Sequence, residues 1–444
     1  MTTRSREPAH RATTATVRAA YPFMAQDGVG SRGVYIGADL CGGGGSFVYD
    51  PWELTGRALT GPGMIVLGEL GEGKSAIVKA YVFRQLALGR RAVMLSVKPG
   101  ENDRLCEAAG VRPIRLSPGG AVRLNPLDPK VAGPDASPQR IALDQLGVLQ
   151  AIIAASLGRD LTPVERAACE LALAHTSATN AEPVLPDVVA ALLRPTADAA
   201  DRIAMSRSQL AEQSRAAALE LRRLCDGDLR GTFDGPTTGG IDLEAPLVSL
   251  DLSAVYASSA LGVLMACAAA WLHRAVTRPG AGHSILIVDE AWAILRNLGV
   301  ARWLAASWKL ARAFGVQCVA ITHRLSDLTA AGDLGSEQVQ LARGLLADSE
   351  TRVIHSLRPE ELKATQALLG LTDAEADAIA SLPRGWALWK VGQQSAVVEH
   401  RYSGIERWVI QGPHSPQEHP TGGVLLDRAV SAPAPPSPTE FGHH

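Results

Sequence analysis

One stretch of the chain, residues 64–75, constrains the fold more than any other. It reads Met-Ile-Val-Leu-Gly-Glu-Leu-Gly-Glu-Gly-Lys-Ser, and Gly68, Gly73, Lys74 and Ser75 satisfy the pattern G-x-x-x-x-G-K-S. Glycines let the backbone N–H groups turn inward toward an anion, and the positive end of a following helix adds to that attraction. The stretch therefore predicts a strand, a phosphate-binding loop and the first turn of a helix.

The residue types in this loop suit a nucleoside triphosphate with a magnesium ion. Lys74 supplies a point charge for the β- and γ-phosphates, and the hydroxyl of Ser75 can ligate Mg²⁺. The surroundings agree, because an apolar run precedes the loop and apolar residues recur at helical spacing after it, as far as Gly89. We expect ATP and Mg²⁺ as ligands, with nucleotide contacts at Gly68, Glu69, Leu70, Gly71, Glu72, Gly73, Lys74, Ser75 and Ala76.

A second motif places two adjacent carboxylates after a buried strand. Residues 284–292 read Ser-Ile-Leu-Ile-Val-Asp-Glu-Ala-Trp, so Asp289 and Glu290 follow the apolar run directly. Asp289 can hold the magnesium shell, and Glu290 can orient or deprotonate the water that attacks the γ-phosphate. The alternative is that the acidic pair only caps a helix, but the complete phosphate-binding loop upstream favours catalysis.

A further buried strand is predicted over residues 316–322, and it ends in Thr322 and His323. A polar side chain at such a strand tip can contact the γ-phosphate and report its loss. His323 is therefore a candidate sensor, with a plain surface histidine as the alternative.

The remaining pattern predicts an α/β fold with a mainly parallel, twisted sheet and helices on both faces. A nearly continuous apolar run at 92–97 is typical of a buried parallel strand, and a further strand is predicted at 247–252. Helical apolar spacing at 141–157, 163–174, 186–193 and 203–224 indicates a helical subdomain inserted at about 139–230. Long helices are also expected at 255–276 and 303–314. We divide the chain into a flexible tail (1–32), an ATPase domain (33–411) and a Pro-rich disordered tail (412–444).

Two shorter segments admit two interpretations each. Residues 33–51 predict a hairpin around a glycine turn, which either sits beside the nucleotide base or is a plain edge hairpin. Residues 98–103, Lys-Pro-Gly-Glu-Asn-Asp, follow a buried strand at the sheet edge where ligands bind in open parallel sheets. For this second segment a simple turn is favoured over a ligand contact.

Composition excludes several classes of protein. The chain of 444 residues is 46% hydrophobic and carries a net charge of −2, which argues against a dedicated nucleic-acid coat protein. Its six cysteines form no C-x-x-C pair, which indicates neither a zinc ribbon nor a disulfide framework and favours a reducing cytoplasm. The apolar stretch 261–272 is shorter than the roughly 20 residues that a membrane span requires.

The order of motifs resembles the large ATPase of type IV secretion and conjugation machines, within the FtsK–HerA superfamily of RecA-like hexameric motors. The resemblance rests on the phosphate-binding loop, the helical insertion, Asp289-Glu290-Ala-Trp292, and residues 311–315 and 321–328. It continues through 347–354, 369–375 and 385–392, and so covers roughly residues 33–405. This chain departs from the family in having His323 where the family usually has glutamine.

The resemblance implies a homo-hexameric motor in the cytoplasm or at the inner face of the cytoplasmic membrane. Other secretion or conjugation subunits are the implied partners, with DNA as a further candidate. A neighbouring subunit then completes each site, and Arg312 is the arginine-finger candidate, with Arg352 in reserve. A DNA translocase of the same superfamily and a nucleotide-gated structural subunit are the alternatives; Glu290 argues against the second.

Overall fold

The structure is a computed structural model. It describes residues 29–41, 44–132, 136–227, 229–242, 245–255, 282–291, 301–302, 304–305, 308–309, 314–325 and 336–411. The predicted C-terminal tail, almost all of the predicted N-terminal tail and all but the first residue of the helix predicted at 255–276 lie outside these ranges. The same holds for Arg312 and for much of the helix predicted at 303–314.

The strands of the described residues form one sheet in the order β2-β1-β11-β10-β9-β3-β8-β7-β4-β6-β5. Six of its ten strand pairings are parallel, which confirms the predicted mainly parallel sheet. The strands are β1 (Val34–Asp39), β2 (Gly45–Tyr49), β3 (Met64–Leu67), β4 (Arg91–Ser96), β5 (Ile114–Arg115), β6 (Leu247–Asp251), β7 (Ser284–Val288), β8 (Val316–Ile321), β9 (Thr351–Ile354), β10 (Trp386–Val391) and β11 (Gln394–His400).

The central parallel strands are buried on both faces, as their apolar runs predicted. Every residue of β3, β6 and β7 is buried. Alternate side chains enter different cores: Ile65 and Leu67 face one hydrophobic cluster, whereas Met64 and Val66 face the other. Successive side chains of a strand therefore point to opposite faces of the sheet, and both faces are packed.

Helices cover these two faces and extend one core into the inserted segment. The described helices are α1 (Pro51–Leu54), α2 (Lys74–Ala87), α3 (Asp103–Ala108), α4 (Pro138–Leu157), α5 (Pro163–Thr179), α6 (Leu185–Leu193), α7 (Ala197–Arg202), α8 (Arg207–Gln213), α9 (Arg215–Asp226), α10 (Glu337–Asp348), α11 (Pro359–Leu369), α12 (Asp373–Ala380) and α13 (Gly404–Ile410).

The helical spacing at 203–224 corresponds to two helices, α8 and α9. Ser206 starts α8 with a capping box, in which its side chain accepts from the backbone N–H of Gln209 and Gln209 bonds back. Ser214 separates the two helices and donates its hydroxyl to the carbonyl of Leu192 at 3.1 Å. Apolar spacing alone does not reveal such side-chain bonds, so it does not show where α8 ends and α9 begins.

Helix α4 is the one helix of the described chain that is long and apolar enough to cross a bilayer. Its side chains Val148, Leu149, Ile152 and Ile153 are buried in the core that also contains strands of the sheet. A core helix meets the same length and composition criteria, so this feature is weak evidence for a membrane span.

The predicted hairpin is present as β1 and β2, and it lies at the edge of the sheet. Strand β1 pairs antiparallel with β2 and with β11. Strands β11, β10 and β9 lie between this hairpin and β3. The arrangement matches the edge-hairpin interpretation, because the strand that leads into the phosphate-binding loop is four positions away from β1.

We expect Trp389→Ala to destabilise this antiparallel part of the sheet. Trp389 is 1% exposed, and its ring centroid lies 5.3 Å from those of both Phe47 and Tyr49. Removing a buried indole leaves a cavity, and such changes cost about 3–5 kcal/mol of unfolding free energy. Urea unfolding followed by circular dichroism measures the loss. Leu143→Ala, at a side chain 68% exposed, is the control with an expected change of about 0.5 kcal/mol or less.

Candidate functional site

The glycine-rich loop joins the carboxyl end of β3 to the start of α2. Its glycines adopt conformations that side chains rarely allow, with φ values of 148° at Gly68, 87° at Gly71 and 111° at Gly73. Helix α2 begins at Lys74, and no side chain caps its first turn. Its first N–H groups are therefore available to an anion, as the motif predicted.

Lys74 is buried and folds back over its own loop. Its Nζ donates to the carbonyl of Gly68 at 2.6 Å and to the carbonyl of Glu69 at 2.8 Å. Burial, followed by the ammonium of Lys98, lowers the pKa of Lys74 to about 8, although nearby carboxylates oppose the shift. A desolvated ammonium held by neutral carbonyls gains a stronger partner when a phosphate oxygen enters the loop.

The acidic pair lies at the carboxyl end of β7. Asp289 and Glu290 are each 5% exposed, and the backbone N–H of Asp289 donates to the carbonyl of Leu95 at 3.0 Å. Glu290 has a φ of 54°, and its N–H donates to Asp289 Oδ1 at 3.0 Å. Burial raises the pKa of Asp289, while the ammonium of Lys98 opposes the shift. The two carboxylates are thus held in a water-poor setting next to lysine.

Two side chains from neighbouring strand ends meet the carboxylate of Glu290. His323 Nε2 lies 2.8 Å from Glu290 Oε1, and Lys98 Nζ lies 2.7 Å from the same oxygen. The structure therefore brings His323 to the acidic pair, where its imidazole can act through Glu290. The sequence favours a simple turn at 98–103 and does not predict the contact of Lys98 with Glu290. The signal available in the sequence was its position two residues after a buried parallel strand.

Sheet order explains why these residues meet. Strands β3, β8, β7 and β4 are consecutive neighbours and parallel. Their carboxyl ends all lie at one edge, which is the ligand-binding edge of open parallel sheets. The edge therefore collects the phosphate-binding loop, His323, the acidic pair and Lys98.

The back of the loop rests on a segment that sequence reasoning did not assign to the site. The carbonyl of Ser356 accepts from the N–H of Glu69 at 3.1 Å, and the N–H of Gly385 donates to the carbonyl of Glu72 at 3.2 Å. His355 is fully buried behind Gly68, and burial, followed by the charge of Lys74, lowers its pKa to about 3. A neutral imidazole therefore supports the loop.

The other predicted loop contacts differ in their surroundings. The carboxylate of Glu69 pairs with Arg358, with Nε and Oε1 3.0 Å apart. Leu70 is 78% exposed at the tip, and Ala76 is partly buried in the first turn of α2. Arg352, the reserve finger candidate, donates to the carbonyls of Ser349 and Leu369 within its own chain.

The donor set suits a magnesium ion that is completed by phosphate and water. Within the described ranges, no group of three or more His, Cys, Asp or Glu side chains could hold a metal ion by itself. Ser75 and Asp289 offer one hydroxyl and one carboxylate, which are hard oxygen ligands of the kind that Mg²⁺ uses beside a bound nucleotide.

We expect Gly68→Ala to impair nucleotide binding more than Gly71→Ala. A methyl group on Gly68 would lie 2.5 Å from His355 Cβ, whereas a methyl on Gly71 would meet no heavy atom within 4 Å. Both changes strain a positive φ, which costs about 1–3 kcal/mol, but the first also displaces the loop. Titration with a fluorescent ADP analogue should show at least about a tenfold weaker affinity for Gly68→Ala. Equal affinities would contradict the contact.

Comparisons with known proteins agree with this geometry at the level of fold. Neither the protein-family models nor the curated proteins contain a match to the chain. VirB4 of Thermoanaerobacter pseudethanolicus superimposes with a TM-score of 0.65 and 20% identity, over 86% of this chain and all of that one. The plasmid coupling protein TrwB in complex with the non-hydrolysable ATP analogue ADPNP superimposes with a TM-score of 0.52 and 17% identity, over 89% of this chain and 96% of that one.

A second TrwB structure, the unbound form of the bacterial conjugative coupling protein TrwBdeltaN70, gives a TM-score of 0.52 and 15% identity over 85% of this chain and 89% of that one. These likenesses confirm the predicted resemblance in fold. The chain has a RecA-like P-loop NTPase fold, which it shares with VirB4 and TrwB.

Proposed function

We propose that this chain is an ATPase that binds Mg-ATP at residues 68–76 and hydrolyses it with Glu290. The observation that carries the proposal is the convergence of Lys74, Asp289 and Glu290 at one edge of the sheet. A phosphate-binding loop without a nearby acid would support binding alone. A buried acidic pair at the same sheet edge as the loop supports hydrolysis as well as binding.

The chain's own residues divide the work of hydrolysis. The loop N–H groups and Lys74 bind the β- and γ-phosphates, and Ser75 with Asp289 would hold Mg²⁺. When bound, the ion neutralises phosphate charge. Glu290 orients the attacking water or takes its proton, and His323 holds Glu290 through their 2.8 Å contact. In this arrangement His323 acts on Glu290, the residue that positions the attacking water. This role refines the sensor role expected from its strand-tip position.

We further propose that the ATPase works as a motor in conjugative or type IV secretion transfer. The likeness in fold to VirB4 and to TrwB, which is described as a conjugative coupling protein, supports this assignment. On this proposal the chain acts as a homo-hexamer with other secretion subunits, at the cytoplasmic face of the membrane. Residues 33–411 form the motor domain with the helical insertion at 139–230. DNA-stimulated hydrolysis would instead favour a DNA translocase, and a protein that binds ATP without turnover would be a nucleotide-gated subunit.

Two substitutions separate binding from chemistry. Lys74→Ala is expected to lose ATP binding, because Lys74 is the cation of the loop. Glu290→Gln is expected to keep Mg-ATP and to lose turnover about 10²–10⁴-fold, the usual worth of a positioned base. Equilibrium titration and phosphate-release assays, each with and without DNA, measure the two effects. Lys363→Ala, at an exposed lysine of α11, is the control. Parental hydrolysis by Lys74→Ala would overturn the site assignment.

A mixture of two inactive variants tests the shared site. Arg312→Ala keeps its own loop, and Lys74→Ala keeps its own arginine, so a mixed ring contains complete sites at some interfaces. We expect hydrolysis to reappear on mixing, because an arginine finger in trans contributes roughly 10³–10⁵ in rate. Phosphate release is measured against each variant alone. A fully active monomer at nanomolar concentration would exclude the shared site.

A further inference from the structure

Lys98 is held in a fixed turn at the carboxyl end of β4. The N–H of Lys98 donates to Ser96 Oγ at 3.2 Å, and the N–H of Gly100 donates to Asp251 Oδ2 at 3.1 Å. Asp251 ends the neighbouring strand β6, so two adjacent strands fix the turn. The Lys98 side chain is 34% exposed and reaches back over the sheet edge.

The ammonium of Lys98 contacts both members of the acidic pair. Its Nζ lies 2.7 Å from Glu290 Oε1 and 3.7 Å from Asp289 Oδ2. His323 approaches the same Oε1 from β8, on the other side of β7 from β4. The Glu290 carboxylate is therefore held by side chains that follow both neighbouring strands, β4 and β8.

The charge of the acidic pair explains why a lysine lies against it. Two adjacent carboxylates, each 5% exposed, repel one another unless a cation compensates them. Lys74 donates to the carbonyls of its own loop, whereas Lys98 donates to Glu290 directly. Lys98 is therefore the lysine that compensates the acidic pair in this structure.

We propose that Lys98 is a positioning residue that acts through Glu290 and fixes the carboxylate toward the attacking water. This inference rests on the proposed function. A glutamate side chain has three rotatable bonds, and a misplacement of about 1 Å at a reacting group can cost 10²-fold in rate. The paired restraint by Lys98 and His323 removes that freedom. Lys98 itself then contacts neither the water nor the nucleotide.

Lys98→Met tests this role, because it removes the ammonium and keeps most of the stem. We expect turnover to fall by roughly 10–100-fold, while the Kd for a fluorescent ATP analogue changes by less than about threefold. Trapping of ADP with magnesium and aluminium fluoride, which mimics the transition state, should weaken in parallel with turnover. Lys98→Arg should recover part of the loss. Lys130→Met, at an exposed lysine paired with Glu182, should change neither the turnover nor the Kd.

A double variant distinguishes positioning from a structural or binding role. If Lys98 acts through Glu290, Lys98→Met should add less than about a twofold loss to Glu290→Gln in single-turnover assays, since coupled residues are not additive. Full multiplication of the two losses would overturn the proposal, as would an equal loss of nucleotide affinity or an unchanged rate in Lys98→Met. Absence of hydrolysis in the unmodified protein would instead overturn the proposed function, and this inference with it.

Discussion

The parallel pairing of β3, β8, β7 and β4 is the constraint on which the site depends. Each strand delivers one part of the site at its carboxyl end, and the fixed spacing of neighbouring strands keeps these parts within side-chain reach. None of the parts is near another in the sequence: the loop precedes the acidic pair by more than 200 residues. The sheet therefore converts remote sequence positions into one chemical site.

Charge balance explains how the site tolerates burial. Lys74, Asp289 and Glu290 are nearly excluded from water, and an isolated ion in that setting would be costly. The structure meets this cost by placing Lys98 against the two carboxylates and Lys74 against loop carbonyls. Nucleotide and magnesium would add charges of both signs to this balance.

Strands β9 and β10 support the phosphate-binding loop from behind. Strand β9 pairs with β3 and delivers His355 beneath Gly68, and the turn before β10 delivers Gly385 to the carbonyl of Glu72. On β10, Trp389 donates its Nε1–H to His400 Nε2 at 2.9 Å. The mixed sheet thus joins the edge that carries the candidate site to the strands that support its loop.

The local features of this protein are determined by its sequence. Residues 64–75 predicted a strand, loop and helix because glycine conformations and helix starts depend on near neighbours, and the apolar runs predicted buried strands for the same reason. Periodicity also has a limit, since it does not reveal the bonds of Ser206 and Ser214 that set the ends of α8. Tertiary structure alone decided that Lys98 and His323 meet at Glu290 and that His355 lies behind Gly68. These contacts depend on strand order, which long-range packing sets and a local pattern does not encode.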